Sequence, residues 1–393
     1  MSYELAKGVT DVDIALDPCA FILKNTDPAP LYDFLNKLEL KKIIERLKLS
    51  PSPAQGTQSA FAPPKMHIVS ALPKLSFPAI YPDFSILQMG VCDKNGCYVC
   101  PITAQNLEKI FDGEYSVHDG KAFLKAACKI TENPKTPDFD TSLAAYLLNP
   151  TAYEYSLATC ASLIFGYTLP PLPESQMSLM NDSDEESMSA LALRASLIFA
   201  LTEHYMPALR EQNMLDLLKN IELPLLPVLA SMEVQGIKLD TARLNAFGAQ
   251  LDVQIAGLEK EIIALAGQDF NIGSPKQLSV ILFETLGLKP LKKTKSGYST
   301  DNDVLEKLQD SHPIIEKIIA YRRLSKLKST YVDGLIKVVA PDGRIHTTFN
   351  QTVTATGRLS STEPNLQNIP IRRDMGAEIR KCFVPKEGCI FID

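Results

Sequence analysis

Apolar residues recur at helical spacing along one long stretch in the second half of the chain. They are Leu244, Phe247, Leu251, Ile255, Leu258, Ile262 and Leu265. Intervals of three or four residues place these side chains in a narrow stripe on one face of a helix of about six or seven turns. Because the stripe ends at Gly267, the pattern favours packing against a second long helix over a free-standing coiled coil.

Shorter patterns before this helix predict a mixed α/β segment. Apolar runs at 84–92 and 97–102 flank a turn-forming sequence at 93–96 and predict a β-hairpin. Helical patterns follow at 104–111, 121–130, 140–149 and 155–165. The order of elements is typical of an α/β domain.

Helix start signals and turn residues organise the last part of the chain. Ser274 precedes Pro275 and lies three residues before Gln277, which predicts a helix N-terminus. Further helices are predicted to begin at 300–303 and at Pro313, the latter running to about residue 335. We expect a hairpin around 341–343 and short strands at 381–384 and 389–393.

Two segments have the composition of linkers. Residues 50–64 are rich in Pro, Ser and Gln, and residues 170–189 are Pro-rich and then acidic. Such segments bury too little apolar surface to offset the loss of chain entropy on folding. They divide the chain into segments of about 1–49, 65–169 and 190–393.

Composition excludes several classes of protein. Apolar residues make up 45% and charged residues 22% of the chain, as in ordinary globular proteins. No apolar run approaches the ~18 residues of a membrane span, and no basic segment precedes an apolar core at the N-terminus. We therefore expect no membrane partner and a cytoplasmic location. Eight cysteines in 393 residues are too sparse for a disulfide scaffold, which predicts a reduced setting.

Charge is distributed unevenly. Residues 271–393 carry 19 Lys and Arg against 13 Asp and Glu, a net charge of +6. The remaining 270 residues carry 21 basic against 33 acidic side chains, a net charge of −12. A basic end is consistent with a polyanionic partner, although charge alone favours an ordinary solvated surface.

Cysteine and histidine positions give little support for a metal site. Cys92, Cys97 and Cys100 have the spacing of plant-type iron–sulfur sites, which need a fourth cysteine. On a hairpin, strand alternation places Cys97 and Cys100 on opposite faces, so small buried side chains are favoured. The five histidines are isolated, so a zinc site is not expected.

The segment 354–370, TATGRLSSTEPNLQNIP, has the most informative chemistry. Its short neutral side chains donate and accept hydrogen bonds, and Arg358 is its only cation. A nucleic-acid minor groove is a surface that such a loop would fit, because every correct base pair presents acceptors there. A loop that caps its own turns would have the same composition, and composition alone does not separate the two interpretations.

This segment closely resembles a signature of the bacterial DNA polymerase I family, the family A DNA polymerases. Residues 271–278, 293–300 and 321–334 resemble the family's thumb, and residues 139–148 resemble part of its 3′–5′ exonuclease-like domain. Residues 1–49, with TDVDIALD and LELKKIIERL, resemble the tail of its 5′ nuclease region. The resemblance is weakest through 50–135.

The resemblance implies a multidomain α/β and α+β fold. After the tail at 1–49 and a linker at 50–64, a ribonuclease H-like exonuclease domain would span 65–215, with an acidic linker at 170–189 inside it. A helical thumb would span 216–340, and 341–393 would form the first strands of the palm.

The resemblance also implies roles for individual residues. The minor groove near the primer end would be lined by Arg358, Asn365, Gln367 and Asn368. Phosphates would be contacted by two groups of thumb residues: Lys328, Ser329, Thr330 and Tyr331, and Lys292, Lys293, Lys295 and the helix start at Ser274. Arg372 would lie near the incoming triphosphate.

Two departures from the family pattern alter these expectations. The family's exonuclease holds two metal ions with four carboxylates, of which only Asp119 is matched here. The first strand, expected at 66–71, has no acid, and the last helix, at 191–205, has Arg194 and Ala195 where an acid is expected. The first metal-binding aspartate of the palm would fall two residues beyond Asp393, so an interior fragment without catalytic aspartates is expected.

We therefore expect a DNA-directed DNA polymerase with a degenerate exonuclease domain, acting in DNA replication and repair. Its partners would be primer–template DNA and deoxynucleoside triphosphates, with Mg²⁺ as the cofactor of the complete enzyme and none bound by the fragment. The protein would be monomeric and associated with the nucleoid. One alternative is a non-catalytic DNA-binding protein derived from a polymerase, and another is a 3′–5′ exonuclease.

Overall fold

A computed structural model describes most of the chain from residue 65 onwards. The described ranges are 31–32, 34–35, 40–47, 49, 61, 65–173, 182–294, 297–370 and 374–392. Lys295, Arg372 and Asp393 lie outside them, as do residues 1–30, the predicted linker 50–64 except residue 61, and residues 174–181 of the predicted linker 170–189. The linker prediction is wrong for residues 182–189, which form the start of a long helix. The contacts divide the chain into two units, Met1–Phe61 and Ala62–Asp393. In the first unit, helix α1 spans Lys41–Leu47.

A six-stranded sheet occupies the first part of the second unit. Its strands are β1 (Met66–Ile68), β2 (Ala79–Asp83), β3 (Gln88–Asp93), β4 (Gly96–Pro101), β5 (Ser116–Val117) and β6 (Phe139–Asp140). Their spatial order is β1-β4-β3-β2-β5-β6. Strands β2, β3 and β4 are antiparallel, whereas β1 runs parallel to β4 and β5 runs parallel to both β2 and β6. The predicted hairpin is confirmed, but β3 begins at Gln88 because residues 84–87 form the turn after β2.

Helices cover this sheet. They are α2 (Ala104–Phe111), α3 (Gly120–Ala127), α4 (Thr141–Leu148), α5 (Leu157–Phe165) and α6 (Asp182–Glu211). The first four confirm the predicted helices to within a few residues. Helix α6 crosses β3 at Gly90, where a Cβ atom would lie 2.2 Å from the carbonyl oxygen of Leu191. Only glycine permits this approach of helix to strand. We call residues 65–211 the sheet region.

A disulfide joins Cys92 to Cys97, with an S–S distance of 2.04 Å. The expectation that these two cysteines are reduced is therefore wrong. The two residues are direct partners across the β3–β4 hairpin, which brings their side chains together on one face of the sheet. Cys100 is buried and carries a free thiol, as expected for a small core side chain.

The next part of the chain is mainly helical, and we call residues 241–337 the helical region. The segment between the sheet region and the helical region contains α7 (Leu215–Leu217), a π-helical turn (Leu218–Glu222), α8 (Leu223–Gln235) and strand β7 (Ile237–Leu239). The region itself contains α9 (Thr241–Ala266), α10 (Pro275–Ser279) with a π-helical turn (Val280–Thr285), β8 (Lys293–Thr294), β9 (Gly297–Tyr298), α11 (Asn302–Lys307), a 3₁₀ turn (Gln309–Ser311), α12 (Pro313–Lys326), a second π-helical turn (Leu327–Asp333) and α13 (Gly334–Lys337).

The long helix predicted from the apolar stripe is confirmed as α9, and it packs against α12. Two clusters of buried side chains lie along this contact. One contains Ile262 and Ile318, and the other contains Leu251 and Leu324. The interdigitated apolar side chains hold the two helices side by side, and the π-helical turn after α12 therefore has a fixed position.

Short strands close the described chain. They are β10 (Arg344–Ile345), β11 (Thr348–Asn350), β12 (Ser360–Thr362) and β13 (Phe383–Val384), with a 3₁₀ turn at Leu366–Asn368 and helix α14 at Asp374–Arg380. β11 pairs with β12, while β7 lies between β10 and β13. Residues 340–344 form the turn predicted at 341–343, closed by a hydrogen bond from the Ala340 N–H to the Arg344 carbonyl oxygen at 2.8 Å. The predicted hairpin is nevertheless wrong, because β10 pairs with the distant β7. The strand predicted at 389–393 is also not found, since the described residues 389–392 have no regular structure and Ile390 and Ile392 are exposed.

Candidate nucleic-acid interface

Arg358 lies in the loop that joins β11 to β12. The Thr354 hydroxyl donates a hydrogen bond to the Arg358 carbonyl oxygen at 2.6 Å, which closes the loop through its backbone. Gly357 supports the tight turn with a φ of 75°, in the left-handed region that favours glycine. The Arg358 side chain is exposed, and no hydrogen bond or ion pair to its guanidinium is found among the described residues. The loop is thus braced from within while its cation remains available.

The turn after β12 uses two of the predicted site residues to brace itself. The Asn365 side chain accepts a hydrogen bond from the Gln367 backbone N–H at 3.0 Å. The Gln367 side chain donates to the Leu359 carbonyl oxygen at 2.9 Å. Both side chains remain exposed. The interpretation of this segment as a loop that caps its own turns is therefore correct for Asn365 and Gln367, and Arg358 is the residue that it does not explain.

Tyr331 connects the helical region to this turn. Its hydroxyl donates a hydrogen bond to the Asn368 carbonyl oxygen at 2.6 Å. Ser329 and Thr330, which precede it on the π-helical turn, are exposed. The structure thus brings together two of the predicted groups, residues 328–331 and residues 365–368.

Lys328 lies between two carboxylates. Its ammonium nitrogen is 3.3 Å from an Asp252 oxygen and 3.2 Å from an Asp333 oxygen. The hydrogen bond to Asp333, together with the one to Asp252, raises the pKa of Lys328 despite an opposing contribution from desolvation. The positive charge predicted to face DNA is therefore compensated within the protein, and a phosphate would have to compete for it.

A third group of predicted residues lies within 271–301, which we call the tip of the helical region. Ser274 caps α10 by accepting from the Gln277 N–H at 3.4 Å, as predicted, and the Gln277 side chain in turn accepts from the Asn271 N–H at 2.7 Å. Lys293 opens strand β8, and Lys292 lies 3.5 Å from Asp301. A cavity of about 650 Å³ at this tip is lined by side chains that include Lys276, Tyr298, Asp301 and Arg322.

Asp119, the carboxylate that the sequence resemblance matches to the family's exonuclease, lines a cleft of about 1070 Å³ in the sheet region. Asp119 caps α3 by accepting from the Ala122 N–H at 3.2 Å. The neighbouring Asp140 caps α4 and accepts from Ser142 N–H at 2.8 Å and Gly120 N–H at 2.6 Å. Backbone donors thus contact one oxygen of Asp119 and both oxygens of Asp140, so both side chains cap helices. No cluster of three or more His, Cys, Asp or Glu side chains suited to a metal ion is found in the described ranges.

A buried cation lies on the helix where an acid was expected. Arg194, on α6, is 5% exposed, and its guanidinium carbon lies 5.7 Å from the centroid of the Tyr81 ring. Its nitrogens donate to the carbonyl oxygens of Ala190 and Pro170 at 3.1 and 2.6 Å. The Arg194 guanidinium therefore occupies this buried position and is held by neighbouring backbone.

Sequence reasoning missed an ion-pair cluster that ties the β11–β12 hairpin to the sheet region. The Glu233 carboxylate, on α8, is 2.6 Å from the Lys121 ammonium and 2.5 Å from that of Lys125. It also accepts a hydrogen bond from the Phe349 N–H at 2.8 Å. Burial alone would raise the pKa of Glu233, but the hydrogen bonds from Lys121, Lys125 and Phe349 outweigh it, and the pKa is lowered.

Comparison with known proteins identifies the family. The sequence profile of DNA polymerase family A matches residues 241–393, which contain the helical region and the Arg358 hairpin. Residues 241–393 belong to DNA polymerase family A. DNA polymerase I of Bacillus subtilis (strain 168) is 34% identical over 414 residues, an alignment that covers 98% of this chain and 46% of the relative. DNA polymerase I of Geobacillus stearothermophilus is 49% identical over 254 residues, covering 63% of this chain and 29% of the relative.

A solved structure of this family resembles the chain in three dimensions. It is described as the POL domain of Pol1 from M. smegmatis in complex with DNA primer-template and dNTP. The match has a TM-score of 0.67 and 34% identity, and covers 77% of this chain and 52% of that chain. The chain thus spans about half the length of DNA polymerase I of Bacillus subtilis, to which 98% of the chain aligns. Within the described ranges, no helix is both long enough and apolar enough to cross a membrane.

Proposed function

We propose that this chain binds primer–template DNA as part of a DNA polymerase that adds nucleotides to a primer 3′ end. The observation that carries the proposal is the exposed guanidinium of Arg358 on a loop whose backbone is braced by Thr354. It lies within the residues that match the family profile. A braced loop with an available planar donor is suited to minor-groove acceptors, which all correct base pairs present in nearly the same place.

The domain assignment belongs to the same proposal. The tail of a 5′ nuclease region at 1–49 precedes a linker at 50–64. A degenerate exonuclease domain of ribonuclease H-like fold spans 65–215, the thumb spans 216–340, and the palm begins at 341. The mixed sheet covered by α6 supports the assignment of 65–215 to an exonuclease-like domain, and the pairing of α9 with α12 supports the assignment of 216–340 to the thumb.

Two sets of residues divide the work of holding the duplex. Arg358 and Asn368 contact base edges near the primer terminus. Charged and hydroxyl side chains of the helical region contact phosphates, which supply affinity without reading sequence. These are Lys328, Ser329, Thr330, Tyr331, Lys292, Lys293, Lys295 and the N-terminal turn at Ser274. Arg372 contacts the triphosphate of the incoming nucleotide.

Divalent metal ions supply the charge stabilisation of nucleotidyl transfer in family A polymerases. We assign no such ion to Asp119 and Asp140 of the sheet region, where both side chains cap helices. The contribution that we assign to the described residues is therefore to bind and orient the primer–template.

The proposal is tested by measuring binding of the chain to a fluorescent primer–template duplex. We expect sequence-independent affinity that falls as salt rises, because binding releases counterions from neutralised phosphates. Arg358→Ala should weaken binding, whereas Arg210→Ala should not. Arg210 is an exposed arginine at the end of α6, so this control removes the same charge from the sheet region. Equal affinities of the Arg358→Ala variant and the unaltered chain would contradict the proposal.

A further inference from the structure

The hairpin that carries Arg358 is attached to the sheet region near its tip. The Tyr146 hydroxyl, at the sheet-region end, donates a hydrogen bond to the Thr354 carbonyl oxygen at 2.7 Å. The Tyr146 side chain, on α4, is 3% exposed, and its ring packs edge-to-face on Tyr155 with a centroid separation of 5.7 Å. A buried ring held in this way presents its hydroxyl to the loop from a fixed position.

Thr354 passes this contact on to Arg358. Its carbonyl oxygen accepts from Tyr146, while its hydroxyl donates to the Arg358 carbonyl oxygen at 2.6 Å. Two hydrogen bonds therefore connect a residue of the sheet region to the backbone of Arg358. The two bonds restrain the place where the arginine side chain leaves the main chain.

The base of the same hairpin is attached to the sheet region at Phe349. The Phe349 N–H donates to Glu233, and its carbonyl oxygen accepts from the Lys121 ammonium. The N–H and C=O groups of Phe349 thus point away from β12 and do not take part in the pairing of β11 with β12. The sheet region thus restrains both the base and the tip of the hairpin.

We infer that Tyr146 is a positioning residue for Arg358, and that the sheet region serves recognition of the primer end through it. The inference rests on the proposed function of Arg358. It gives the region a role that needs none of the missing exonuclease carboxylates. Tyr146 acts on Arg358 through Thr354, so we assign it no contact of its own with DNA or nucleotide.

The first test measures hydrogen exchange of the backbone amides at 351–359 in the chain. Tyr146→Phe removes the hydroxyl and keeps the ring, so local opening of the loop should cost less. We expect exchange to quicken about two- to tenfold, the net contribution of one hydrogen bond. Tyr155→Phe is the matched control, because the Tyr155 hydroxyl donates to Asn149 within the sheet region at 2.6 Å. Equal exchange rates in the Tyr146→Phe variant and the unaltered chain would overturn the inference.

The second test compares affinities for primer–template duplexes with a matched or a mismatched terminal pair. Arg358→Ala should bring the ratio of the two affinities close to one, since mismatches displace the acceptors that Arg358 reads. Tyr146→Phe should lower the ratio about two- to tenfold, and Tyr155→Phe should leave it unchanged. If Arg358→Ala lowers the ratio and Tyr146→Phe does not, the inference about Tyr146 is wrong and the proposed function stands. If Arg358→Ala leaves the ratio unchanged, the proposed function itself fails.

Discussion

The Tyr331 hydroxyl donates a hydrogen bond to the Asn368 carbonyl oxygen 2.6 Å away, and so joins the helical region to the turn that follows the Arg358 hairpin. Tyr331 is the last of four consecutive residues, 328–331, that we assign to phosphate contacts. Asn368 belongs to the set that we assign to the minor groove. The bond therefore holds the two kinds of contact at a constant separation, which suits a surface that follows one duplex.

Replacing Glu233 should destabilise the protein strongly. Glu233→Ala would leave the ammonium of Lys121, which is 13% exposed, without its carboxylate, and the Phe349 N–H without an acceptor. Breaking a buried ion pair from one side costs about 3–5 kcal/mol. Urea unfolding measures this loss. Glu108→Ala, at an exposed position on α2, is the control and should change the free energy of unfolding by less than about 0.5 kcal/mol. Similar losses in the two variants would mean that the cluster adds no stability.

The stabilisation by Glu233 should depend on pH with a defined sign. The pKa of Glu233 in the folded protein is below its ordinary value of 4.5, so folding favours the ionised form. Its contribution is complete above pH 4.5 and is lost as the pH falls through the lowered pKa. The difference in unfolding free energy between the unaltered chain and Glu233→Gln should therefore shrink on acidification from neutral pH. A difference that grows on acidification would contradict the lowered pKa.

Asp119 should matter for stability and not for nuclease activity. It caps α3 and has a φ of 62°, a conformation that Asp and Asn tolerate and Ala does not. Asp119→Ala should lose about 0.5–2 kcal/mol of stability for the cap alone, whereas Asp119→Asn should retain most of it. Thermal unfolding measures both variants. Neither variant nor the unaltered chain should degrade single-stranded DNA with Mg²⁺ or Mn²⁺. Trimming of 3′ ends that vanishes in Asp119→Ala would show that the carboxylate is catalytic.

Lys328 should contribute one phosphate contact. Lys328→Ala should reduce the slope of log affinity against log salt concentration by about 0.9 unit and weaken binding to all duplex sequences alike. Asp252→Asn should strengthen binding, because it removes one of the two carboxylates that compete with phosphate for the lysine. Lys260→Ala, at an exposed position on α9, is the control for loss of charge. A slope unchanged by Lys328→Ala would place the lysine away from DNA.

Local patterns in the sequence predicted the elements that depend on neighbouring residues. The apolar stripe predicted α9 because seven side chains repeat at the period of the helix, and Ser274 with Pro275 predicted the start of α10. The segment around Arg358 was found because its chemistry and its family resemblance are both contained in consecutive residues. Elements of this kind are predictable because the residues that determine them are neighbours in the sequence.

Contacts between distant residues were not predictable in the same way. Glu233 meets Lys121 and Lys125 from 112 and 108 residues away, and Tyr146 meets Thr354 from 208 residues away. Strand β10 pairs with β7, and the whole helical region separates these two strands in the sequence. The expected local hairpin therefore does not form. The disulfide between Cys92 and Cys97 could have been predicted from the sequence. The two residues are equidistant from the middle of the predicted turn, so a hairpin makes them cross-strand partners. The sparse cysteine content argued against it.

The role that we propose for Arg358 at the primer terminus is tested most directly by single-nucleotide extension with the complete polymerase to which we assign this chain. Arg358→Ala should lower extension from matched ends by about one to two decades, the loss of a charged hydrogen bond of roughly 1.5–3 kcal/mol. Extension from mismatched ends should fall far less, because the mismatch has already displaced the acceptors. Arg358→Lys should restore little, since a point charge does not reproduce the planar fork. Equal losses from matched and mismatched ends, together with a lower melting temperature, would show instead that Arg358 only braces its own loop.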